Sequence, residues 1–273
     1  MTLPGLLLSV LILFALLLSR YLLVAGGSYW ILYARSNHGA AGAAIKGDIS
    51  LSVGATAVFA LAAALILLAL DHGFTRIYPD LQRFGLWYPL VSYGVVLLLQ
   101  DTYFYFLHRL FHHRRFYRHC HRGHHLSRRP TPWTSFAFDL PEAFAQALFL
   151  ALVVFVIPLH LVTLLAIGIT MTVWAVVNHL GLECLPPTFP HHWFGRWFIG
   201  PAHHSLHHLN PQQNFGLYFT FWDQLLGSED PAFRSLVPLG RSRANISPSL
   251  SPSSLGLSMP TMRLSSSRWW FSR

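Results

Sequence analysis

The chain has 273 residues, of which 53% are hydrophobic and only 11% charged, against roughly 25% charged in an ordinary soluble domain. That balance excludes a typical soluble protein and points to the membrane. The formal charge of +9 does not indicate nucleic acid, because the basic residues lie between long apolar runs and not on a recognisable DNA- or RNA-binding module. Two cysteines, Cys120 and Cys184, cannot build a disulfide framework and fit a reducing compartment.

In chain order, the first apolar stretch is Leu3 to Val24, with Arg20 near its end, where a long side chain snorkels to the interface. The run is long and no basic segment precedes it, so it reads as a membrane span and not as a signal peptide. Ile49 to Leu70 is a second full-length span. The third, Leu86 to Leu107, is apolar to Leu99 and then turns polar with Gln100 and Asp101. Ala143 to Val177 carries no formal charge over 35 residues, and Pro158 near its middle predicts two shorter helices joined by a turn or kink.

Charge bias sets the orientation. Arg109, Arg114, Arg115, Arg118, Arg122, Arg128 and Arg129 follow the third span with no acid before Asp139, which predicts a cytoplasmic segment. Arg35 and Lys46 then fall on the same side. Asp71 and Asp80 balance Arg76 and Arg83 in the opposite loop. The N-terminus is predicted outside and the C-terminus inside. The tail after about Val237, rich in Ser and with five Arg, reads as disordered, with "RWWF" as a candidate interfacial anchor. The domain reading is a transmembrane hairpin over 1–84, a catalytic domain over 85–235 and the tail over 236–273.

Of 17 histidines, 15 lie between positions 108 and 208. On a helix, residues three and four apart share a face, with Cβ atoms about 5–6 Å apart. His108 and His112 therefore pair, as do His121, His124 and His125 in an HxxHH pattern, which His204, His207 and His208 repeat. "NHLGLE" adds His179 where the last apolar run reaches the cytoplasmic side. A single box reads as well as a solvated helix face. Several boxes together, all predicted at one membrane surface, read as a metal site. Imidazole suits zinc, copper, iron and nickel. A structural zinc needs only four ligands, so nine imidazoles predict two ions with positions open for chemistry. Cys120 has no CxxC partner and is not counted, and the HExxH signature of zinc proteases is absent. The predicted fold is an all-α integral membrane protein with about four transmembrane helices and a cytoplasmic helical cap carrying this di-metal site.

"HRLFHHRRFYRHCHRGHH" running into "PTPWTSFAFDLPEAFAQ", then "AHHSLHH" and "NFGLYFTFWDQLLGS", resemble the fatty acid hydroxylase/sterol desaturase superfamily of membrane di-iron enzymes, and most of all its sterol C-5 desaturase branch. The resemblance covers about Tyr88 to Ser228. It implies metal ligation by the nine histidines of the boxes, two iron ions, O2 as co-substrate and two electrons from an external donor. It implies desaturation or hydroxylation of a C–H bond in a sterol, fatty acyl or carotenoid lipid. One departure is plain: where many members read "AFHP", this chain has Ala137, Phe138, Asp139 and Leu140.

Carboxylates that orient metal-bound histidines are expected nearby. Asp101 lies on nearly the same helical face as His108, Glu183 is four residues after His179, and Asp223 is the weaker third candidate; each is read as accepting an imidazole N–H. The seven-Arg segment suits an acidic electron donor such as a ferredoxin or a b-type cytochrome, or serves topology alone. A non-catalytic metal transporter or store is the competing class. A transporter holds its ligands near the bilayer midplane and a store uses a low-complexity His tract.

Overall fold

The computed structural model describes residues 2–33, 42–181, 195–231 and 233. Glu183, Cys184, the 236–273 tail and its "RWWF" lie outside the described residues. The described chain is mostly helical: α1 Leu3–Tyr33, α2 Gly42–Asp71, α3 Tyr88–Phe111, the short α4 Tyr117–Cys120, α5 Leu140–Val156, α6 Leu161–Asn178, α7 Pro201–Leu209 and the short α8 Phe221–Leu225. Tight turns cover His124–Leu126, Pro132–Phe136 and Gly195–Trp197. Four helices are long and apolar enough to cross a membrane: α1, the Ala44–Asp71 part of α2, α3 and α6.

The sequence pattern explains most boundaries. Pro158 breaks the long apolar run, so α5 stops at Val156 and α6 starts at Leu161. His160 caps α6, its Nδ1 accepting the Val162 N–H at 3.1 Å. At that end Ile77–Tyr78 (β1) pairs in parallel with Leu159–His160 (β2). The first helix runs nine residues past the expected Val24, through Gly26 and Gly27 to Tyr33. Its 31 residues span roughly 46 Å, more than the ~30 Å hydrocarbon core. The extra turns, rich in Tyr and Trp, suit a membrane–water interface and bring Tyr33 to the histidines.

Burial is the reverse of a soluble protein. Leu11, Leu23, Leu90 and Leu165 point outward, while Asp48, Gln100, Asp101 and Glu142 are buried. In a bilayer this is the favourable arrangement, because outward leucines meet lipid and buried polar groups meet one another. One apolar cluster joins α3, α5 and α6 through Val96, Phe149, Val153, Val154, Leu159 and Ile167. A second joins Tyr21 and Ala25 of α1 to Phe136 and Val176. The α1–α2 hairpin also packs on the turns that follow the second histidine box.

Candidate metal centre

The histidines arrive from four directions. His108 lies in the last turn of α3, and His112 caps that helix. α6 ends at Asn178 and is capped by His179. His204, His207 and His208 share α7, as their spacing predicts. The second box differs from the helical expectation: α4 is one turn long, His121 is its C-cap at φ −150°, and His124 and His125 sit in a separate tight turn. A turn and not a helix face converges these three. All nine are buried, none more than 8% exposed.

They form two groups. His108, His112, His121, His125 and His207 make one; His124, His179, His204 and His208 make the other, and in each a ligand atom from every member lies within 4.8 Å of the rest. The facing atoms are Nε2. His108 and His121 bring theirs to 3.0 Å, His125 and His207 to 3.0 Å, His204 and His179 to 3.0 Å, and His179 and His124 to 3.4 Å.

The opposite ring nitrogens decide what these pairs are. Nδ1–H of His108 donates to the Phe215 carbonyl at 2.9 Å, that of His124 to Ala137 at 3.2 Å, that of His179 to Ala175 at 2.6 Å and that of His207 to Gln213 at 2.6 Å. Nδ1–H of His121 donates to the Glu142 carboxylate at 2.7 Å. A carbonyl only accepts, so Nδ1 carries the proton in His108, His124, His179 and His207, and each of these neutral rings presents a bare lone pair at Nε2; Glu142 fixes the same tautomer in His121 when it is ionised. The His124–His179 contact, whose rings both face carbonyls at Nδ1, is then lone pair against lone pair and cannot be a hydrogen bond. A cation between them turns that repulsion into coordination. Two imidazole nitrogens at about 2.1 Å from one ion and at right angles to each other stand about 3.0 Å apart. The donor set fits a pair of first-row metal ions.

Protonation does not offer an alternative remedy. Burial, with the neighbouring imidazoles adding to it, holds His121, His124, His125, His204 and His208 well below the ordinary imidazole value. Burial also brings His179 down to about 4 and His207 to about 3.

The carboxylates are placed differently from expectation. Asp101 accepts no imidazole N–H among the described residues: its Oδ1 takes the backbone N–H groups of Tyr218 at 2.7 Å and Phe219 at 3.1 Å. Facing inward from α3, it anchors the loop instead. Asp223 likewise holds the Phe215 and Gly216 N–H groups, each at 2.9 Å, and the Ser228 hydroxyl at 2.7 Å. It thereby fixes the carbonyl that orients His108. Its Oδ2 is 3.6 Å from Nε2 of His203, too far for a hydrogen bond. Glu183 lies outside the described residues.

The carboxylate that does meet a box histidine is Glu142, which sequence reasoning missed. It is 2% exposed and sits in the first turn of α5. An acid directly ahead of 35 uncharged residues was the available signal, since an ionisable group beside a span is functional by default. Asp139, which stands where "AFHP" has its histidine, accepts the Gly123 N–H at 2.7 Å and shapes the second box.

The fatty acid hydroxylase family model matches residues 93–228, the stretch that contains every group described above. The chain belongs to that family. It is 38% identical over 168 residues to lathosterol oxidase of Rattus norvegicus, covering 60% of this chain and 54% of that protein. It is 35% identical over 170 residues to the Homo sapiens lathosterol oxidase, covering 62% and 55%. A Delta(7)-sterol 5(6)-desaturase of Gibberella zeae is 28% identical over 195 residues, covering 71% and 59%. The chain thus spans about half the length of the curated relatives it matches, on the sterol C-5 desaturase branch of the superfamily. No solved structure matches it.

Proposed function

We propose that this chain is a membrane-bound di-iron lipid oxidoreductase that introduces a double bond into a sterol. Sterol desaturation takes precedence over hydroxylation of an acyl chain or carotenoid because lathosterol oxidases and Delta(7)-sterol 5(6)-desaturases are among its relatives. The observation that carries metal binding is the bare Nε2 lone pairs of His124 and His179 meeting at 3.4 Å inside one of two compact, buried histidine groups. The two groups would hold one iron each, through the nine box histidines. Iron bound there would supply O2-dependent oxidation of an unactivated C–H bond, with two electrons delivered from outside.

The chain's own contribution is to hold the imidazoles. Glu142 and the carbonyls of Ala137, Ala175, Gln213 and Phe215 fix five rings in the tautomer that leaves Nε2 free. Asp101 and Asp223 hold the loop between α7 and α8, which supplies two of those carbonyls, Gln213 and Phe215. The centre lies at helix ends beside apolar surfaces, which suits a substrate delivered from the bilayer. A transporter holds its ligands near the midplane, and this placement is against one.

The seven arginines from Arg109 to Arg129 begin within the first box, and all are exposed. They would place the centre at the cytoplasmic surface and offer a docking face to an acidic electron donor, a ferredoxin or a b-type cytochrome. Charge docking weakens with salt, so the electron-transfer rate should fall as ionic strength rises; a salt-independent rate leaves these residues with topology alone.

The deciding experiment is elemental analysis of protein purified in mild detergent from iron-replete cells, followed by sterol product analysis with a reductant. About two irons per chain, lost on His124→Ala or His207→Ala, together with a new sterol double bond, support the reading. One zinc per chain, or a folded protein without metal, overturns it.

A further inference from the structure

A second polar feature adjoins the histidines, on the face of α6 that leads away from His179. Trp174 and Asn178 are four residues apart and so lie one above the other on the same helix face. Both meet the segment Leu217–Tyr218. The Trp174 ring packs edge-on against Tyr218 with centroids 5.7 Å apart, and Asn178 Nδ2 donates to the Leu217 carbonyl at 3.1 Å. A carbonyl only accepts, so the amide nitrogen must face it, and Oδ1 is left over. That Oδ1 is buried without a hydrogen-bond partner, and so is the Nε1–H of Trp174.

Three other polar side-chain groups on α6 and at Tyr218 are paired. The Tyr93 and Thr170 hydroxyls meet at 2.7 Å, the Tyr218 hydroxyl donates to Gln100 Oε1 at 2.9 Å, and Thr172 donates to the Gly168 carbonyl at 2.7 Å. A donor and an acceptor left over on one helix face are costly unless something fills both. A hydroxyl does, accepting through its oxygen and donating through its hydrogen. A hydrocarbon chain fills neither, and a carboxylate would oppose Oδ1.

We propose that Trp174 and Asn178 form the subsite that recognises the hydroxyl of a sterol substrate, Trp174 Nε1–H donating to the hydroxyl oxygen and the hydroxyl donating to Asn178 Oδ1. This rests on the sterol-oxidising reading above. Its position agrees with the chemistry. Asn178 is the neighbour of His179, whose Nε2 stands 3.0 Å from that of His204. In a sterol a single ring carbon separates the hydroxyl-bearing carbon from position 5, so a hydroxyl anchor for attack there has to adjoin the metals. A fatty acyl chain has no polar group to offer at that place, and the pair therefore selects for sterols.

The test is competition binding on the iron-loaded full chain in lipid nanodiscs, with a tritiated Delta(7)-sterol displaced by the unlabelled sterol, its 3-O-methyl ether or its 3-deoxy analogue. Each hydrogen bond lost should weaken binding about tenfold. The ether still accepts but no longer donates, so wild-type affinity should fall in the order sterol, ether, deoxy compound. Trp174→Phe keeps the ring and removes the N–H. It should weaken the sterol and the ether about tenfold and leave the deoxy compound unchanged, with iron content and melting temperature as controls for folding. Equal wild-type affinity for all three compounds overturns the inference. So does an unchanged competition series in Trp174→Phe, the result expected if a buried water fills the pair. Sterol turnover without a hydroxyl preference overturns this inference alone. An iron-loaded protein that oxidises acyl chains and neither binds nor oxidises sterols overturns the parent reading, and this one with it.

Discussion

Glu142 reaches from the first turn of α5 to Nδ1 of His121, so its effect on a metal is exerted through the ring. It fixes which nitrogen carries the proton and makes the other a better donor. Glu142→Ala should weaken iron retention about 10–100-fold, while Glu142→Gln, which still offers an acceptor, should lose less. Chelator competition on the three proteins measures this, and equal retention in all three would remove Glu142 from any part in holding the site. Asp101 calls for a different pair of variants. A single atom, Oδ1, accepts both the Tyr218 and Phe219 N–H groups, and an asparagine oxygen can do the same. Asp101→Asn should therefore keep most of the stability and iron. Asp101→Leu strands two buried N–H groups at about 1–3 kcal/mol each and should lower the melting temperature clearly. Equal melting of the two variants would show that the bonds to the loop contribute nothing.

At the scale of elements, the helical hairpin in front of the matched region helps to build the site. Asp48 of α2 accepts the hydroxyls of Ser127 at 2.7 Å and Thr134 at 2.8 Å, on either side of the turn that follows His124 and His125. Tyr21 of α1 donates to the Trp133 carbonyl at 3.0 Å, and Tyr33 donates to Leu180, next to His179, at 2.8 Å. Asp48→Ala should destabilise the protein by about 2–4 kcal/mol, since it leaves two buried hydroxyls unpaired, and should release iron sooner. Thermal unfolding with iron counting checks this; unchanged values for both would make the hairpin a bystander to the centre.

The same elements show what a sequence can disclose. The Pro158 break, the apolar spans and the α7 box are local: each follows from hydropathy or from spacing along one helix. The second box was misread as a helix face because His121 to His125 satisfy helical spacing, while the chain turns after Cys120. Asp101 was misassigned because its helical face was legible and its partner, a loop more than a hundred residues away, was not. The partner of Glu142 and the orienting carbonyl oxygens were invisible for the same reason. A carbonyl has no residue type to betray it, and the His121–Glu142 contact depends on how two turns fold back onto α5.

At the scale of the whole molecule, nine neutral imidazoles packed out of water have a consequence for pH. Burial depresses the folded-state values of His121, His124, His125, His204 and His208 strongly, and of His207 to about 3. In the unfolded chain the same groups titrate near 6.5. Below about 6.5 the unfolded state therefore binds more protons than the folded one, and stability falls with falling pH. Above that value both states hold neutral rings and these groups add no slope. Asp223 acts with the opposite sign: burial raises it to about 6, so it favours the folded state as pH drops from 6 towards the ordinary carboxylate value of about 3.9. Asp139 and Glu142, which burial also raises, act in the same sense as Asp223, and these three carboxylates set against six imidazoles do not reverse the trend. The metal-free protein should show a level melting temperature from pH 8 to about 6.5 and a fall below it, measured by thermal unfolding in detergent. Bound metal, which favours the folded state in proportion to the logarithm of its concentration over its dissociation constant, should raise the whole curve and move the fall to lower pH. A metal-free protein whose melting temperature stays level down to pH 5 would mean that the imidazoles are not held neutral by burial, and the lone-pair argument for the metal pair would lose its footing.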